Sequence, residues 1–236
     1  MEELKNIALM AENEEHLDIF SIIYFAKNCR KLLFYAYFYE DNSLFDKHYC
    51  CTKESTKKFI KDNKIIEEIF QQLAKIRKIL DTDIEAMIEG DPVGPTKQEV
   101  ILCYPGFEAI CYYRIANLLY KYGYKLIARV ISEYAHRKTQ VDIHPGASIG
   151  SHFAIDHATG VVIGETANVG NYVRIYQGVT LGAKWLNDAK ILKGIKRHPT
   201  IEDNTIIYAN ATILGGDTII KKGSVIGANA FITKSN

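Results

Sequence analysis

The sequence predicts an α+β protein, with an all-α N-terminal domain over residues 1–138 followed by a left-handed parallel β-helix over residues 139–236. Two different periodicities, one in each half, predict this division. Up to about residue 138, apolar and charged residues alternate at spacings of three and four, the period of amphipathic helices. From residue 141, large apolar residues recur at every sixth position, which is the hexapeptide pattern of a β-helix.

The helical half contains recognisable start and stop signals. Asp81 or Thr82 is expected to cap a short helix that Gly90, just before Pro92, brings to an end. The segments predicted to be helical before Pro92 are residues 14–40, 53–80 and 82–90.

A further helix is predicted in "YPGFEAICYYRIANLLYKYG", residues 104–123. Pro105 suits its first turn because proline lacks the backbone N–H that a helix start leaves unpaired, and Gly123 suits its exit. The apolar residues of this helix are expected to form core.

The second half carries the six-residue ladder, in which each coil buries one apolar residue per side and about eighteen residues complete a triangular coil. Two interruptions break it, with eight residues from Ile155 to Ile163 and twenty from Leu181 to Ile201. Both contain a histidine, and insertions in a solenoid become loops that can carry function. The ladder comprises Ile143, Ile149, Ile155, Ile163, Val169, Ile175, Leu181, Ile201, Ile207, Ile213, Ile219, Val225 and Phe231.

Composition excludes several classes of protein. The net charge of +1 does not indicate a basic surface for nucleic acid, so no nucleic-acid partner is expected. The longest apolar stretch, "LLFYAYFY", is too short to cross a bilayer. The N-terminus lacks the basic start and apolar centre of a secretion signal, so a cytoplasmic protein without a membrane partner is expected.

The motifs DIHPGA, DHATG, IGETA, VTLG and RHP occur in that order within the ladder, and in this order they resemble the serine O-acetyltransferases. Upstream, "DIEAMIEGDP" and "GFEAICYYRIANLLY" resemble the end of that family's helical domain. The resemblance covers residues 80–236 well. It implies transfer of an acetyl group from acetyl-CoA to the hydroxyl of L-serine, a step of cysteine biosynthesis.

The resemblance assigns the central chemistry to two residues. A serine hydroxyl needs a general base within hydrogen-bond reach, and an imidazole suits this task when a second group fixes its tautomer. His157 corresponds to the family's base and Asp142 to its carboxylate partner. Taken without the resemblance, both are compatible with exposed turn residues of a solenoid.

The substrate L-serine is a zwitterion, so its site must offer opposite charges at two ends. The resemblance implies that Arg197 and His198 meet the carboxylate, for which a guanidinium offers forked donors. Asp91 and Asp156 correspond to the acids that hold the ammonium group. Glu165, in IGETA, matches the family pattern in a supporting role.

The thioester carbonyl of acetyl-CoA needs a donor for its developing negative charge, and the backbone N–H of Gly182 or Ala183 is the candidate. The following loop, residues 184–196, is longer than the family pattern. Its lysines Lys184, Lys190 and Lys193, near Trp185, are compatible with contacts to CoA phosphates but are more simply solvated loop charge. No metal and no permanently bound cofactor are expected, and acetyl-CoA acts as co-substrate.

Three alternative hypotheses about function are also compatible with these residues. Zinc-dependent carbonic anhydrases share the solenoid and use two histidines five residues apart, as are His152 and His157, but a third ligand is not placed as expected. A related acetyltransferase acting on a sugar or antibiotic hydroxyl would use the same histidine. A non-catalytic scaffold that binds a sulfhydrylase would leave the catalytic motifs without a role.

The resemblance also implies partners. Family members assemble as trimers or dimers of trimers, so a homo-oligomer is expected, and L-cysteine is expected to compete for the serine site as a feedback inhibitor. In full-length relatives the C-terminal tail inserts into O-acetylserine sulfhydrylase. Because this sequence stops at "AFITKSN", that tail is expected to be absent and the sulfhydrylase not to bind tightly.

Overall fold

A computed structural model describes residues 4–5, 17–184 and 195–235. Its N-terminal part is helical, as predicted, and the last helix ends at Thr139, just before the first strand at Asp142. No helix in these described ranges is both long and apolar enough to cross a bilayer. The helices are α1 (Ile19–Leu33), α2 (Tyr35–Phe38), α3 (Phe45–Thr56), α4 (Asn63–Glu89), α5 (Lys97–Cys103), α6 (Pro105–Lys121) and α7 (Lys125–Thr139), with a 3₁₀ turn at Asn42–Leu44.

The predicted helix start at Asp81 or Thr82 is wrong, because α4 runs through both residues without a break. Neither side chain caps a helix. The Asp81 carboxylate pairs with Arg77 one turn earlier at 3.1 Å, and the Thr82 hydroxyl donates to the carbonyl of Ile79. The end of this helix at Gly90 and the start of α6 at Pro105 are as predicted.

Asp83 joins α4 to both α6 and the β-helix. Its fully buried carboxylate accepts two hydrogen bonds from Arg114 of α6, at 2.7 and 2.8 Å, and a third from the backbone N–H of Phe153 at 3.0 Å. Arg114 in turn donates to the carbonyl of Gly150. Asp83 therefore anchors this part of the continuous helix to α6 and to the β-helix.

The second half forms a three-sided parallel β-helix. Sheet I has the order β1-β4-β7-β10-β13, sheet II β11-β8-β5-β2, and sheet III β12-β9-β6-β3. Eighteen residues separate Val162 from its sheet partner Thr180, the predicted length of one coil. The strands are Asp142–Ile143, Ser148–Ile149, Ala154–Ile155, Val162–Ile163, Asn168–Val169, Arg174–Ile175, Thr180–Gly182, Thr200–Ile201, Ile206–Ile207, Thr212–Leu214, Ile219–Ile220, Val225–Ile226 and Phe231–Ile232, which are β1 to β13.

The end of the apolar ladder was predicted one residue out of register. Ile213 pairs with Ile232, nineteen residues later, so the segment between Ile213 and Ile219 holds one residue more than the corresponding segment of a regular coil. Side chains alternate between faces of a strand, and one added residue therefore exchanges the inner and outer positions. As a result Val225 and Phe231 are 63% and 71% exposed, and the inward positions after this segment are Ile220, Ile226 and Ile232 instead of Ile219, Val225 and Phe231.

Candidate functional site

The first interruption of the ladder forms a turn between sheet III and sheet I, here called the His157 corner (residues 156–161). His157 is exposed and adopts a left-handed backbone conformation, with φ of +56°. Its backbone N–H donates to the carboxylate of Asp156 at 2.8 Å. The ring centroid lies 6.5 Å from that of Tyr176 on the next coil. The predicted base therefore stands on a turn that presents it to solvent.

Asp91 and Asp156 come together beside this corner. Asp91 follows the end of α4, and its carboxylate accepts hydrogen bonds from the Tyr104 hydroxyl at 2.7 Å and from the backbone N–H of Val93 at 2.9 Å. These two bonds, with the positive charge of Arg174, lower the pKa of Asp91. The bond between Tyr104 and Asp91 also raises the pKa of Tyr104 to about 12. Arg174 also lies 3.9 Å from the Asp156 carboxylate.

Asp142 lies at the start of sheet I, one coil from His157. The two share a corner, because the N–H of Gly160 donates to the carbonyl of Gln140 at 2.9 Å and the N–H of Asp142 to Val161. No hydrogen bond between the side chains of Asp142 and His157 is found within the described part of the chain. The pairing of these two residues stays a prediction.

The carboxylate of Asp142 instead faces the last turns of α7, where possible ligand atoms of Asp142, Glu133 and His136 lie within 4.8 Å of one another. The Nδ1 atom of His136 is 3.7 Å from Glu133, and Glu133 also pairs with Arg129. Arg129 offsets the charge of one of the two carboxylates, and we assign no cation to this group.

A second group of predicted residues meets between sheet I and sheet II, here called the Arg197 corner (residues 164–167 and 195–199). Glu165 accepts hydrogen bonds from Arg197 and, at 2.7 Å, from the hydroxyl of Tyr120 on α6. These two donors hold the pKa of Glu165 at about 2, although partial burial opposes them. Glu165 thus fixes the Arg197 side chain in the orientation observed.

His198 is buried in the same corner against Gly164, where an added Cβ would come within 2.0 Å of the ring. Its Nδ1 atom accepts the backbone N–H of Thr166 at 3.0 Å and lies 2.9 Å from the Thr166 hydroxyl. Since a backbone N–H can only donate, Nδ1 carries no proton and Nε2 carries the ring hydrogen. Burial, followed by the charges of Arg197 and Lys196, lowers the pKa of His198 to about 4.

Acidification from pH 7.5 to 5 is expected to destabilise the fold through His198. An imidazole with a pKa of about 4 when folded, against an ordinary 6.5, stabilises fully above pH 6.5. The effect is lost as the pH falls towards 4, because the unfolded chain binds the proton first. The loss at pH 5 is about 2 kcal/mol.

Urea unfolding at both pH values measures this effect, with His198→Asn as the comparison because asparagine can accept the Thr166 N–H without titrating. The variant should lose less stability than the wild type on acidification. Glu165 does not confuse the comparison, since its lowered pKa acts below pH 4.5. Equal losses in both proteins would mean that His198 is not the titrating group.

The two corners lie at opposite ends of the strands of sheet I, because β4 starts after the His157 corner and ends at the Arg197 corner. Within one chain the predicted acids and base are therefore on one side of the sheet, and Arg197 and His198 on the other. Gly182 ends β7, and its carbonyl accepts the N–H of Gly215 at 3.0 Å.

Ala183 follows Gly182 at the start of the long loop, and the oxyanion role of these two residues stays a prediction. Lys184 pairs with Asp217 at 2.7 Å, which fits the expectation of loop charge. Trp185, Lys190 and Lys193 lie outside the described residues.

The positions of the histidines do not support the carbonic anhydrase hypothesis. His152 lies before β3 and His157 after it, so the two histidines occupy different corners of one coil. The ring of His152 stacks on Tyr172 with centroids 4.0 Å apart.

Sequence reasoning missed four residues that hold the two corners in place. They are Tyr104 and Arg174 beside the acids, and Tyr120 and Thr166 beside the arginine. Each contacts a partner that is distant in sequence, so periodicity gave no signal. The available hint was that Tyr120 ends the segment GFEAICYYRIANLLY and that Thr166 lies in IGETA, both of which carry the family resemblance.

Comparison with known proteins relates the chain to one family. No protein-family model matches the sequence. The chain is 47% identical over 176 residues to a plasmid serine acetyltransferase of Synechococcus elongatus, and 51% identical over 152 residues to the serine acetyltransferase of Mycobacterium tuberculosis. These matches cover 73% and 64% of this chain, and 55% and 63% of the two relatives, so the chain spans less than two thirds of their length.

A solved structure matches nearly the whole chain. Serine acetyltransferase 1 of Entamoeba histolytica in complex with L-cysteine aligns with a TM-score of 0.81 at 36% identity, over 99% of this chain and 93% of that one. The similarity extends into the first 80 residues, for which the sequence alone showed only helical character. On this similarity of sequence and fold, the chain belongs to the serine acetyltransferase family of acyltransferases.

Proposed function

We propose that this protein transfers the acetyl group of acetyl-CoA to the hydroxyl of L-serine, giving O-acetyl-L-serine and CoA. His157 removes the hydroxyl proton while the oxygen attacks the thioester carbonyl carbon. The tetrahedral intermediate collapses with cleavage of the carbon–sulfur bond, and the imidazolium returns its proton to the leaving thiolate. No covalent acetyl-enzyme is needed, and the β-helix sequence contains no cysteine that could form one.

One observation carries the proposal: two carboxylates, Asp91 and Asp156, stand beside an exposed histidine. A sugar or an antibiotic hydroxyl would not need a paired acidic site next to the base, whereas the ammonium group of an amino acid does. The carboxylate end of serine is assigned to Arg197 and to the Nε2–H of His198. A neutral histidine that donates is suited to an anion, since it adds a hydrogen bond without titrating near pH 7.

The complete serine site is formed between two copies of the chain. The His157 corner and the Arg197 corner bound sheet I from opposite ends, so one copy cannot offer both to one small molecule. Outward positions of this sheet include Val162 and Phe231, which are 36% and 71% exposed and support contact with a neighbour. A cyclic trimer places the His157 corner of each chain against the Arg197 corner of the next. Light scattering that finds a fully active monomer would exclude this arrangement.

Acetyl-CoA is the acetyl donor, with Gly182 or Ala183 donating to the oxyanion. L-Cysteine is expected to occupy the serine pocket, since it has the same two charged ends. Support comes from the Entamoeba relative, whose structure holds L-cysteine.

The test is incubation of the purified protein with acetyl-CoA and single acceptors, followed by loss of thioester absorbance and mass spectrometry of the product. L-Serine should be acetylated. N-Acetyl-L-serine, which lacks the ammonium group, and L-serinamide, which lacks the carboxylate, should each react at least tenfold less efficiently. Equal rates with L-serine and a sugar hydroxyl would favour the sugar acetyltransferase reading instead.

Replacing Thr166 with valine is expected to raise the KM for L-serine about tenfold, because one hydrogen-bonding group organises both anion-binding residues. The Thr166 oxygen accepts the backbone N–H of Arg197 at 2.9 Å and that of His198 at 3.1 Å. Valine keeps the shape and removes the bonds. Steady-state kinetics at saturating acetyl-CoA measure the change, with Thr166→Ser as the control that retains the hydroxyl. An unchanged KM in the valine variant would show that the backbone does not need this oxygen.

A further inference from the structure

Arg174 makes a contact across two parts of the fold that no motif predicts. It lies on β6 with its side chain on the outer face of sheet III, only 15% exposed, while the neighbouring Ile175 points into the core. Its guanidinium donates to the carbonyl of Ala86 in the last turn of α4. A cation at this helix end is stabilised by the partial negative charge of the unpaired carbonyls.

The same guanidinium lies directly on Gly90, the residue before Asp91. A Cβ at Gly90 would come within 1.7 Å of Nη2 and 2.0 Å of Cζ, so only glycine leaves room for the arginine in this position. On its other side, Nη1 is 3.9 Å from the carboxylate of Asp156. Arg174 thus touches the backbone next to one acid and the side chain of the other.

Three charges therefore meet beside His157. Two carboxylates and one guanidinium leave a net charge of −1, which matches a single ammonium group. The positive charge of Arg174 acts on both carboxylates and so offsets the repulsion between Asp91 and Asp156. Tyr104 completes the arrangement by holding the second oxygen of Asp91 at 2.7 Å.

We propose that Arg174 is a positioning residue that sets the distance between Asp91 and Asp156, and so determines how tightly the ammonium group of the substrate binds. This inference rests on the proposed function for the identity of the substrate. It concerns the chain's own geometry, because the contact joins the helical part to the β-helix at the subsite.

The sharpest test displaces the guanidinium without removing its charge. Gly90→Ala does this, since the backbone at Gly90 has φ of −97°, which alanine adopts without strain. The matched control is Gly227→Ala, where an added Cβ meets no atom within 4 Å. The KM for L-serine should rise about tenfold in Gly90→Ala, while the KM for acetyl-CoA stays within twofold. Gly227→Ala should resemble the wild type in both.

A double-mutant cycle with Arg174→Met identifies the group that Gly90→Ala disturbs. In the Arg174→Met background the guanidinium is gone, so the added methyl group should have no further effect on the KM for L-serine. Additive effects of the two substitutions would overturn the proposal. Arg174→Lys keeps the charge without the fork and should fall between wild type and Gly90→Ala.

Calorimetric Kd values for L-serine and L-cysteine separate this inference from the proposed function. Both should rise by the same factor as the KM in Gly90→Ala. A wild type that binds these amino acids but does not acetylate serine would refute the proposed function, and a Kd raised in Gly90→Ala would still support the role of Arg174. Unchanged Kd values in Gly90→Ala, or no binding to the wild type, would overturn the inference.

Discussion

Replacing His157 with alanine is expected to lower kcat for serine acetylation by ~10² to 10⁴-fold, the range for loss of a positioned general base. The substitution removes the imidazole and little else. The backbone N–H that bonds to Asp156 stays, and alanine can adopt the left-handed conformation, as the neighbouring Ala158 with φ of +75° does. The measurement is kcat at saturating acetyl-CoA and L-serine, followed by loss of thioester absorbance.

His152→Ala is the matched control for this experiment. His152 is another histidine in a left-handed conformation, with φ of +54°, at a different corner of the same coil. Its ring stacks on Tyr172 and takes no part in the proposed chemistry. We expect a kcat within twofold of the wild type. Normal turnover by His157→Ala, or equal losses in both variants, would remove His157 from its role as the base.

Replacing Asp83 with asparagine is expected to destabilise the protein by about 3–5 kcal/mol, the usual cost of breaking a buried ion pair on one side. Arg114, whose side chain is 6% exposed, would lose its counter-charge in a site that water does not reach. Asparagine has nearly the volume of aspartate, so no cavity contributes. Thermal unfolding should show a fall in Tm on the order of 10 °C.

Asp81→Asn, two residues away on the same helix, is the control for this loss. Asp81 also pairs with an arginine, but both side chains are about one third exposed, and such pairs contribute at most about 1 kcal/mol. The contrast isolates burial as the cause. If the two variants melt together, the Asp83–Arg114 pair does not hold the helices on the β-helix.

The sequence predicted the β-helix because its core requirement is local and repeats along the chain. The inward-facing residues were predicted wrongly only where each strand contains two adjacent apolar residues. After β10, every strand offers an apolar residue for either register, as Ile219–Ile220, Val225–Ile226 and Phe231–Ile232 show. A six-residue period cannot choose between them. One residue inserted between Ile213 and Ile219 decides, and nothing in the local pattern marks it.

The predicted helix start in the N-terminal half was wrong for a different reason. Asp81 and Thr82 are residue types that commonly cap helices, yet α4 continues through them, and the next residue, Asp83, pairs with Arg114 thirty-one residues later. Long-range pairing of this kind overrides a local preference worth about 1 kcal/mol.

The candidate site was predictable in its residue types and less so in its assembly. Family motifs named the acids, the histidines and the arginine, but the sequence could not tell that they divide between two corners. It also assigned no role to Arg174, or to Thr166 within IGETA, since each acts through backbone atoms that only the fold brings near. Residues that position others leave the weakest trace in a sequence.

At the left-handed turn of His157, the residue that would be best for stability differs from the residue proposed for catalysis. A non-glycine residue in this conformation costs ~1–2 kcal/mol, and glycine at His157 or Ala158 would relieve part of that strain. A directed-evolution screen for heat resistance alone would therefore favour loss of the imidazole that we propose as the general base. Thermostable variants of this protein are better sought by strengthening other turns, with activity measured at every round.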